Sequence, residues 1–327
     1  MSVAIAPEMQ NLFSRPAEKF AKRVVVFTGF NCSNKCCFCA VESKRPAVDK
    51  TTEEVLREMA RAYERGARQL VLSGGECTLR KDIVDLVRAA RQKGFVDVHI
   101  QSNGRRFSDI GFCKEMFAAG MSYLGTSIHG PSGAVHDDLT ARPGSLREVV
   151  EGIHNLKRLA RGRIGIAINS VMVRQNFALL PETASLLVRL RPDLLQFAFV
   201  HACGFTEERF RRFVPRKTDV VAYVKQGVDI AVGAGIPVMV EAIPYCLLTG
   251  YEKHCSDRFI PSTDVIEPGR EILNYEQVRL RSSKRKFARC LDCRFDAICE
   301  GPWQQYPEHY GDEEFQPVEA EYVNQRA

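Results

Sequence analysis

The stretch that decides the fold reads VVVFTGFNCSNKCCFC over residues 24–39. Its first part, Val24–Phe30, is a short apolar run of the kind that predicts a buried β-strand. Directly after it, Cys32, Cys36 and Cys39 follow one another in the spacing C-x3-C-x2-C. A strand that delivers three thiols to one loop predicts a metal or iron–sulfur site at the end of that strand.

The same order of strand and then helix recurs along the chain to about residue 235. Thr52–Arg65 illustrates the helices, because its acidic residues lie at the start and its basic residues at the end, as the helix dipole favours. The further predicted strands are Gln69–Ser73, Val96–Gln101, Tyr123–Ile128, Ile164–Met172 and Leu194–Val200. The further predicted helices are Lys81–Lys93, Phe107–Ala119, Ser145–Leu159 and Pro181–Leu190.

Six such units predict an α/β fold, a partial (β/α)6 TIM-like barrel. The cysteines clustered after it indicate that a small carboxyl-terminal iron–sulfur or other metal-binding module follows. In folds of this kind, ligands bind where the carboxyl ends of the parallel strands meet. Cys32, Gly74–Glu76, Asn103 and His129 each follow a predicted strand. We therefore expect them to lie close together at one face of the sheet.

The regular order breaks after about residue 235, where proline, glycine and cysteine recur at irregular spacing. We predict an amino-terminal extension over 1–22, a core barrel over 23–235, a cluster module over 236–315 and a tail over 316–327. A hairpin is predicted near Gln277–Arg289. The basic residues of the stretch Arg279–Arg289 are interpreted as a solvated surface, or as a contact for an acidic electron donor or an anionic substrate.

Composition excludes several classes of protein. The 46 Lys and Arg residues exceed the 40 Asp and Glu residues by only six, and nucleic-acid-binding domains usually concentrate a larger surplus on one face. No apolar run approaches the roughly 18 residues of a membrane span, and the first 22 residues lack the apolar centre of a signal peptide. We expect a soluble cytoplasmic protein that contacts neither nucleic acid nor membrane.

The twelve cysteines are clustered, which in a cytosolic protein indicates metal ligands rather than disulfides. Three thiolates on one loop can ligate three irons of a cubane cluster and leave the fourth iron open to the amine and carboxylate of a small molecule. Zinc is the alternative, although a structural zinc site needs four ligands.

The loop resembles the C-x3-C-x-aromatic-C signature of the radical S-adenosylmethionine (SAM) superfamily, with Phe38 as the aromatic residue. Phe38 would pack over the adenine of SAM or shield the cluster. Ser73–Glu76 resembles the Gly-Gly-Glu motif of that family. The resemblance implies that Gly74 and Gly75 let the backbone approach SAM closely and that Glu76 receives its methionyl amine.

The resemblance extends to the ends of the next strands. Asn103 stands in a Gln-Ser-Asn-Gly sequence similar to the family's third-strand end, and Ser127 stands where the family's fourth strand contacts SAM. Arg142 is the nearest arginine after the His-Asp pair at 136–137 and is the candidate partner of the SAM carboxylate. Asn169 would reach the ribose, with an ordinary buried polar role as the alternative.

A second group of cysteines follows the barrel. Cys290, Cys293 and Cys299 have the spacing C-x2-C-x5-C, and Cys246 lies upstream. The arrangement resembles the SPASM and twitch modules and implies one auxiliary [4Fe–4S] cluster held by these four, with Cys255 as a spare or alternative ligand. A four-cysteine zinc ribbon is the alternative.

The resemblance to this family implies reductive cleavage of SAM to a 5′-deoxyadenosyl radical, which removes hydrogen from an unactivated carbon, and an electron donor of the flavodoxin or ferredoxin type. A small-molecule substrate is favoured, in a dehydrogenation, an epimerisation or a carbon–carbon bond formation. The reason is that the 22 residues before the first strand are too few for the peptide-recognition domain of many related maturases. A peptide- or protein-modifying maturase and a non-catalytic iron–sulfur or zinc protein are the alternatives.

Overall fold

The computed structural model describes residues 22–45 and 48–319. The predicted extension therefore lies outside the described residues except for Lys22, as does the tail after residue 319. The strands are β1 (Lys22–Phe27), β2 (Ala67–Ser73), β3 (Asp97–Gln101), β4 (Tyr123–Ser127), β5 (Gly165–Met172), β6 (Leu194–Phe199), β7 (Val238–Glu241), β8 (Thr263–Glu267) and β9 (Arg270–Ile272).

The α-helices of the described residues lie mostly between these strands. They are α1 (Thr52–Glu64), α2 (Ile83–Lys93), α3 (Ile110–Ala119), α4 (Gly133–Thr140), α5 (Ser145–Ala160), α6 (Leu180–Arg189), α7 (Glu207–Phe213), α8 (Lys217–Gly233), α9 (Tyr275–Val278) and α10 (Gln305–Tyr310). None of them combines the length and the apolar character that crossing a lipid bilayer requires.

The strands form one sheet in the order β7-β6-β5-β4-β3-β2-β1-β8-β9. The first eight in this order run parallel, and β9 pairs antiparallel with β8. The sheet is an open arc, because β7 at one end does not pair with β9 at the other. The predicted α/β class and partial barrel are confirmed, and the arc has two parallel strands more than the six predicted.

Alternation along β5 shows how the arc separates its two faces. Ile166 and Ile168 are buried on the outer face, under the helices, whereas Ala167, Asn169 and Val171 line a cavity on the inner face. This period of two is what a strand requires when one face packs on helices and the other bounds an internal space.

Helix α1 shows why the sequence folds as predicted on the outer face. The hydroxyl of Thr51 accepts a hydrogen bond from Glu54 N, and the Glu54 carboxylate accepts one from Thr51 N, which completes a capping box. Val55 and Met59 recur on the buried side of the helix, so its position against the sheet is set by packing rather than by helix propensity alone.

The carboxyl-terminal segment departs from two expectations. The hairpin predicted near Gln277–Arg289 is wrong, because that stretch holds the end of α9 and a π-helical turn; the hairpin is β8–β9 instead. The expected solvated surface is also wrong in part. Arg279 and Lys284 are buried, and the carboxylate of Glu300 lies 2.6 Å and 3.6 Å from their side-chain nitrogens. Burial of these cations is possible because a carboxylate is buried with them.

Candidate active site

Two backbone hydrogen bonds hold the cysteine loop that follows β1. Lys35 N donates to Thr140 O and Cys37 N donates to Leu139 O, which ties the loop to the end of α4. Cys32, Cys36 and Cys39 all line one cavity of about 190 Å³, which we call the loop cavity. The structure thus brings the three predicted ligands together.

The chemistry of these thiols fits a cationic group among them. Burial and, to a lesser extent, the neighbouring Cys39 and Cys32 thiols together raise the pKa of Cys36 to about 12. Burial also raises the pKa of Cys32, although Asn34 N donates a 3.4 Å hydrogen bond to its sulfur. The three thiolates therefore disfavour one another unless positive charge is bound between them, as iron would supply.

Cys37 interrupts the run of ligands and is turned away from the loop cavity, since it is not among the residues that line it. Its carbonyl accepts a 2.8 Å hydrogen bond from Arg209. Burial and, to a lesser extent, the charge of Asp138 together raise the pKa of its thiol to about 11. The Cys37 backbone therefore connects the cysteine loop to helix α7.

Gly74 and Gly75 line the loop cavity and lie against the chain that leads into the cysteine loop. Gly75 N donates to Gly29 O at 2.9 Å. A Cβ atom would lie 2.2 Å from Gly29 O at position 74 and 2.2 Å from Asn31 O at position 75. Glycine is thus required by close approach of two backbones, and at Gly74 also by a φ of +134°.

Glu76 is buried, and its carboxylate is surrounded by donors of the protein itself. It accepts hydrogen bonds from Thr78 N, Thr78 Oγ1, Ser102 Oγ and Asn103 N, at 3.0, 2.6, 2.8 and 2.7 Å. One carboxylate thus joins the carboxyl end of β2 to that of β3. The residue also lines a neighbouring pocket with Asn31 and Cys32 rather than the loop cavity.

Asn103 and Ser127 line the loop cavity as well. The Asn103 amide donates to Ser33 Oγ at 3.0 Å and accepts from Arg105 N at 3.1 Å, which holds it between the cysteine loop and the turn after β3. Ser127 is paired in register with Asn169 of β5. Asn169 Oδ1 is buried and has no hydrogen-bond partner among the described residues, as expected of a group that awaits a ligand.

Of two arginines near the site, Arg45 and Arg142, only Arg45 lines the loop cavity. Arg142 is exposed and does not line the loop cavity. Arg45 does line it; its Nη2 donates to Asn34 O at 3.1 Å, and its Nε is buried with no partner in the described part of the chain. Sequence reasoning missed Arg45, and the available signal was its place in the same loop as the cysteines.

Two histidines support the floor of the loop cavity. His129 N donates to His136 Nδ1 at 3.0 Å, and His129 Nδ1 accepts from Val171 N at 3.1 Å. Burial lowers the pKa of His136 to about 4 and that of His129 well below 6.5, so both rings are neutral near pH 7. The Phe38 ring meets His129 edge-on at 4.8 Å between ring centres, which fixes the orientation of Phe38.

A larger cavity of about 680 Å³ occupies the inner face of the arc, and we call it the barrel cavity. It adjoins the loop cavity, because Phe38, Cys39, Gln101 and Val171 line both. Its other walls come from the strands β1 to β8 and from the carboxyl-terminal segment, which contributes Trp303 and other residues.

The second cysteine group lies together in the carboxyl-terminal segment. Cys246, Cys290, Cys293 and Cys299 line one pocket. Backbone N–H groups of Phe287, Val318 and Gly301 lie 3.4 Å from the sulfurs of Cys290, Cys293 and Cys299. Hydrogen bonds of this kind are one of the means by which proteins tune iron–sulfur clusters.

The electrostatics of this group parallel those of the first. Burial is the largest cause that raises the pKa of Cys246, and the Cys299, Cys293 and Cys290 thiols also raise it. Together they bring it to about 12. Cys255 does not line the pocket; it is buried, and its thiol lies 3.5 Å from Ile243 O. Among the described residues, no three His, Cys, Asp or Glu side chains are arranged to hold a single metal ion.

Comparison with known proteins identifies the core. Residues 26–187 match the Radical SAM superfamily. The chain carries a radical SAM domain. The cofactors of this superfamily are a [4Fe–4S] cluster and SAM, and the prediction of a radical SAM domain is confirmed.

The radical SAM domain also has curated relatives. A probable GTP 3′,8-cyclase of Sulfurisphaera tokodaii is 24% identical over 180 residues, which cover 55% of this chain and 56% of that protein. A PqqA peptide cyclase of Rhodopseudomonas palustris is 27% identical over 190 residues, 56% of this chain and 48% of that protein. The chain thus aligns with about half the length of each.

A solved structure resembles the fold over most of the chain. Native anSMEcpe with bound AdoMet and Cp18Cys peptide superposes with a TM-score of 0.65 at 14% identity and covers 91% of this chain and 92% of that one. At this identity the likeness concerns the fold, and it extends beyond the radical SAM domain into the carboxyl-terminal segment.

Proposed function

We propose that this protein is an enzyme that cleaves SAM reductively and removes a hydrogen atom from a substrate held in the barrel cavity. The observation that carries the proposal is the contact between the two cavities. Phe38, Cys39, Gln101 and Val171 line both, so a molecule bound beside the cysteines lies next to a molecule bound inside the arc. A radical generated in one cavity would then react in the other without crossing solvent.

Cys32, Cys36 and Cys39 are the proposed ligands of the SAM-binding cluster. When bound and reduced by a flavodoxin- or ferredoxin-type donor, the cluster and SAM supply a 5′-deoxyadenosyl radical that abstracts hydrogen. The contribution of the chain is to exclude water and to orient both groups, for which the buried position of Phe38 beside His129 is suited.

The proposed SAM contacts differ in kind. The backbone at Gly74 and Gly75 would receive the methionyl part, since no side chain intervenes there. Glu76 would act mainly by holding that backbone, because four protein donors already surround its carboxylate. Asn103 and Ser127 line the loop cavity and are proposed to contact SAM directly.

Two further contacts complete the proposed SAM site. Asn169 would contact the ribose, which its unpartnered Oδ1 favours over the ordinary buried role. For the SAM carboxylate we propose Arg45 in place of Arg142, because Arg45 lines the loop cavity and Arg142 is exposed.

We propose one auxiliary [4Fe–4S] cluster on Cys246, Cys290, Cys293 and Cys299. Its support is that the four line one pocket and that three backbone N–H groups lie near their sulfurs. Cys255 is excluded from the proposed ligands because it lies outside that pocket. The alternative is a four-cysteine zinc site, although these described side chains are not arranged to hold a single metal ion. Metal analysis separates the two.

The preferred substrate is a small molecule, in a dehydrogenation, an epimerisation or a carbon–carbon bond formation. Its support is the barrel cavity of about 680 Å³, which is bounded by the strands of the arc and by polar groups such as Gln196 and Glu241. A peptide is the second candidate. It is favoured by the likeness to a PqqA peptide cyclase and to a structure that holds a peptide.

The decisive experiment is anaerobic incubation of the reconstituted, reduced protein with SAM. We expect 5′-deoxyadenosine and methionine, loss of both in a variant with Cys32, Cys36 and Cys39 changed to alanine, and retention in Cys203→Ala, which alters an exposed cysteine. No 5′-deoxyadenosine after prolonged reduction would instead support a non-catalytic iron–sulfur or zinc protein.

A further inference from the structure

The end of the barrel cavity opposite to the cysteine loop contains an unpaired cation. Arg23 stands near the start of β1 and lines the cavity. Its Nε is buried and has no hydrogen-bond partner in the described part of the chain. No carboxylate of the described residues lies within 4.0 Å of its guanidinium, although nineteen other pairs of charged groups meet that limit.

The carboxylates at or near the amino-terminal ends of strands β3, β6 and β8 are engaged elsewhere. Asp97 is the carboxylate that raises the pKa of Arg23, and it accepts a hydrogen bond from Gln69 Nε2 at 3.4 Å. Asp193 accepts a 2.7 Å hydrogen bond from Ile166 N. Asp264 lies 2.7 Å from the ammonium of Lys22. Burial lowers the pKa of Arg23, as expected of a cation that is removed from water and not neutralised.

A second polar group without a partner faces the same space. Tyr123 lines the barrel cavity, and its hydroxyl is buried with no hydrogen-bond partner among the described residues. Its ring stacks on His99, 4.7 Å between centres, and passes so close to Gly165 that a Cβ there would lie 2.4 Å from the ring. The hydroxyl is thus held in a fixed position by packing on both sides of the ring.

His99 completes this end of the cavity without competing for an anion. Burial and, to a lesser extent, the Arg23 charge together lower its pKa to about 3, so the imidazole is neutral near pH 7. It can donate one hydrogen bond to a ligand while it holds Tyr123 in place. A guanidinium, a phenol and a neutral imidazole that face one cavity form a donor set for an oxyanion.

We propose that Arg23 and Tyr123 bind an anionic oxygen group of the substrate at the end of the barrel cavity remote from the cysteines. This inference rests on the proposed function and specifies its substrate class. Tyr123 and Ser127 are the two ends of β4, so the anion lies about 13 Å from the SAM side of the cavity at about 3.3 Å per residue. The substrate is therefore an elongated small molecule with a phosphate or a carboxylate at one end.

The test uses binding of two probes to the full, anaerobically reconstituted chain, measured by titration calorimetry. Inorganic pyrophosphate represents phosphates, and glutarate represents carboxylates. We expect one of them to bind at one site per chain. Arg23→Gln should weaken that binding by about tenfold or more, and Tyr123→Phe by a smaller factor, as charged and neutral hydrogen bonds differ. Arg57→Gln, which removes an exposed positive charge on α1, should leave it unchanged.

Thermal unfolding without probe distinguishes a binding role from a structural one. An unpaired buried guanidinium destabilises the fold, so Arg23→Gln should unfold at the same temperature as the wild type or higher. It should also lose the stabilisation that the bound probe confers. Arg23→Lys keeps the charge but not the fork of donors and should retain part of the binding.

Three outcomes would overturn the proposal: no binding of either probe to the wild type, equal binding by Arg23→Gln, or a marked fall in the unfolding temperature of Arg23→Gln with binding unchanged. The proposed function is judged separately. Formation of 5′-deoxyadenosine without substrate should persist in Arg23→Gln, because Arg23 lies at the far end of the cavity from the cysteines.

Discussion

The hydroxyl of Ser102 donates a 2.8 Å hydrogen bond to the buried carboxylate of Glu76, so that the ends of two neighbouring strands are joined beside the cysteine loop. Asn103 N donates to the same carboxylate at 2.7 Å. The glutamate of the Gly-Gly-Glu sequence thus organises the protein around the loop cavity, whatever contact it makes with a ligand.

Replacing Glu76 is therefore expected to affect stability as well as SAM binding. Glu76→Ala leaves the buried N–H of Thr78 without its acceptor and should lower the free energy of unfolding by about 2–3 kcal/mol. Ser102→Ala removes one donor and should lower it by about 1 kcal/mol. Urea unfolding measures both. If Glu76→Ala and the wild type had the same free energy of unfolding, the hydrogen bonds to the Glu76 carboxylate would not contribute to stability.

Variants of Arg45 and Arg142 test which of the two arginines binds the SAM carboxylate. Arg45→Gln should weaken SAM binding about tenfold or more, as loss of a charged hydrogen bond does. Arg142→Gln should leave SAM binding unchanged, because Arg142 is exposed. Equilibrium dialysis of SAM with the anaerobic protein measures the dissociation constant of each variant. Weaker binding in Arg142→Gln and unchanged binding in Arg45→Gln would instead assign Arg142 as the partner of the SAM carboxylate.

Gly75 is expected to be intolerant of a single methyl group. In Gly75→Ala the new Cβ lies 2.2 Å from Asn31 O, so the segment entering the cysteine loop must move and the iron content should fall. Gly233→Ala is the control, because it lies exposed at the end of α8 with nothing within 4 Å of the added Cβ. Similar iron content in both variants would contradict the prediction.

Acid should destabilise the fold through its buried neutral histidines. Burial lowers the pKa of His136 to about 4, below its ordinary value of 6.5, so protons bind preferentially to the unfolded chain between these values. Each such histidine should reduce the free energy of unfolding by up to about 1.4 kcal/mol per pH unit below about 6.5, and by nothing above it. The stability contribution is thus present at neutral pH and is lost on acidification.

Variants at two histidines measure this contribution. Urea unfolding at about pH 7.5 and about pH 5.5 should show a smaller pH difference in His136→Gln than in the wild type. His154 is exposed, and His154→Gln should keep the wild-type difference. An unchanged difference in His136→Gln would show that another group controls the acid response.

Iron analysis tests the second cysteine group. A variant with Cys32, Cys36 and Cys39 changed to alanine should keep about four irons, the content of one [4Fe–4S] cluster. Cys246→Ser should contain less iron than the wild type, whereas Cys255→Ser should contain as much. Only Cys246 lines the pocket together with Cys290, Cys293 and Cys299. Zinc in place of iron would establish the ribbon alternative.

Local patterns predicted the core well. The runs at β2 to β6 were readable because each is a short segment of continuous or alternating apolar residues that a helix follows, and the sequence Gly74-Gly75-Glu76 marked the end of β2. These signals depend on neighbours in the chain, which a sequence displays directly.

Long-range relationships were not readable in the same way. β7 and β8 are short strands of four and five residues that gain their place by pairing with β6 and β1. The buried state of Arg279 depends on Glu300, which a different turn brings near. Spacing indicated only Arg142, and the folded loop shows that Arg45 lines the cavity instead.

The pairing of β1 with both β2 and β8 has a consequence for how the protein is made. At about 5–20 residues per second on the ribosome, β8 emerges on the order of ten to fifty seconds after β1. Throughout that interval the strand that carries the cysteine loop lacks one of its two neighbours. The loop that carries Cys32, Cys36 and Cys39 is therefore synthesised while one side of its strand is still open.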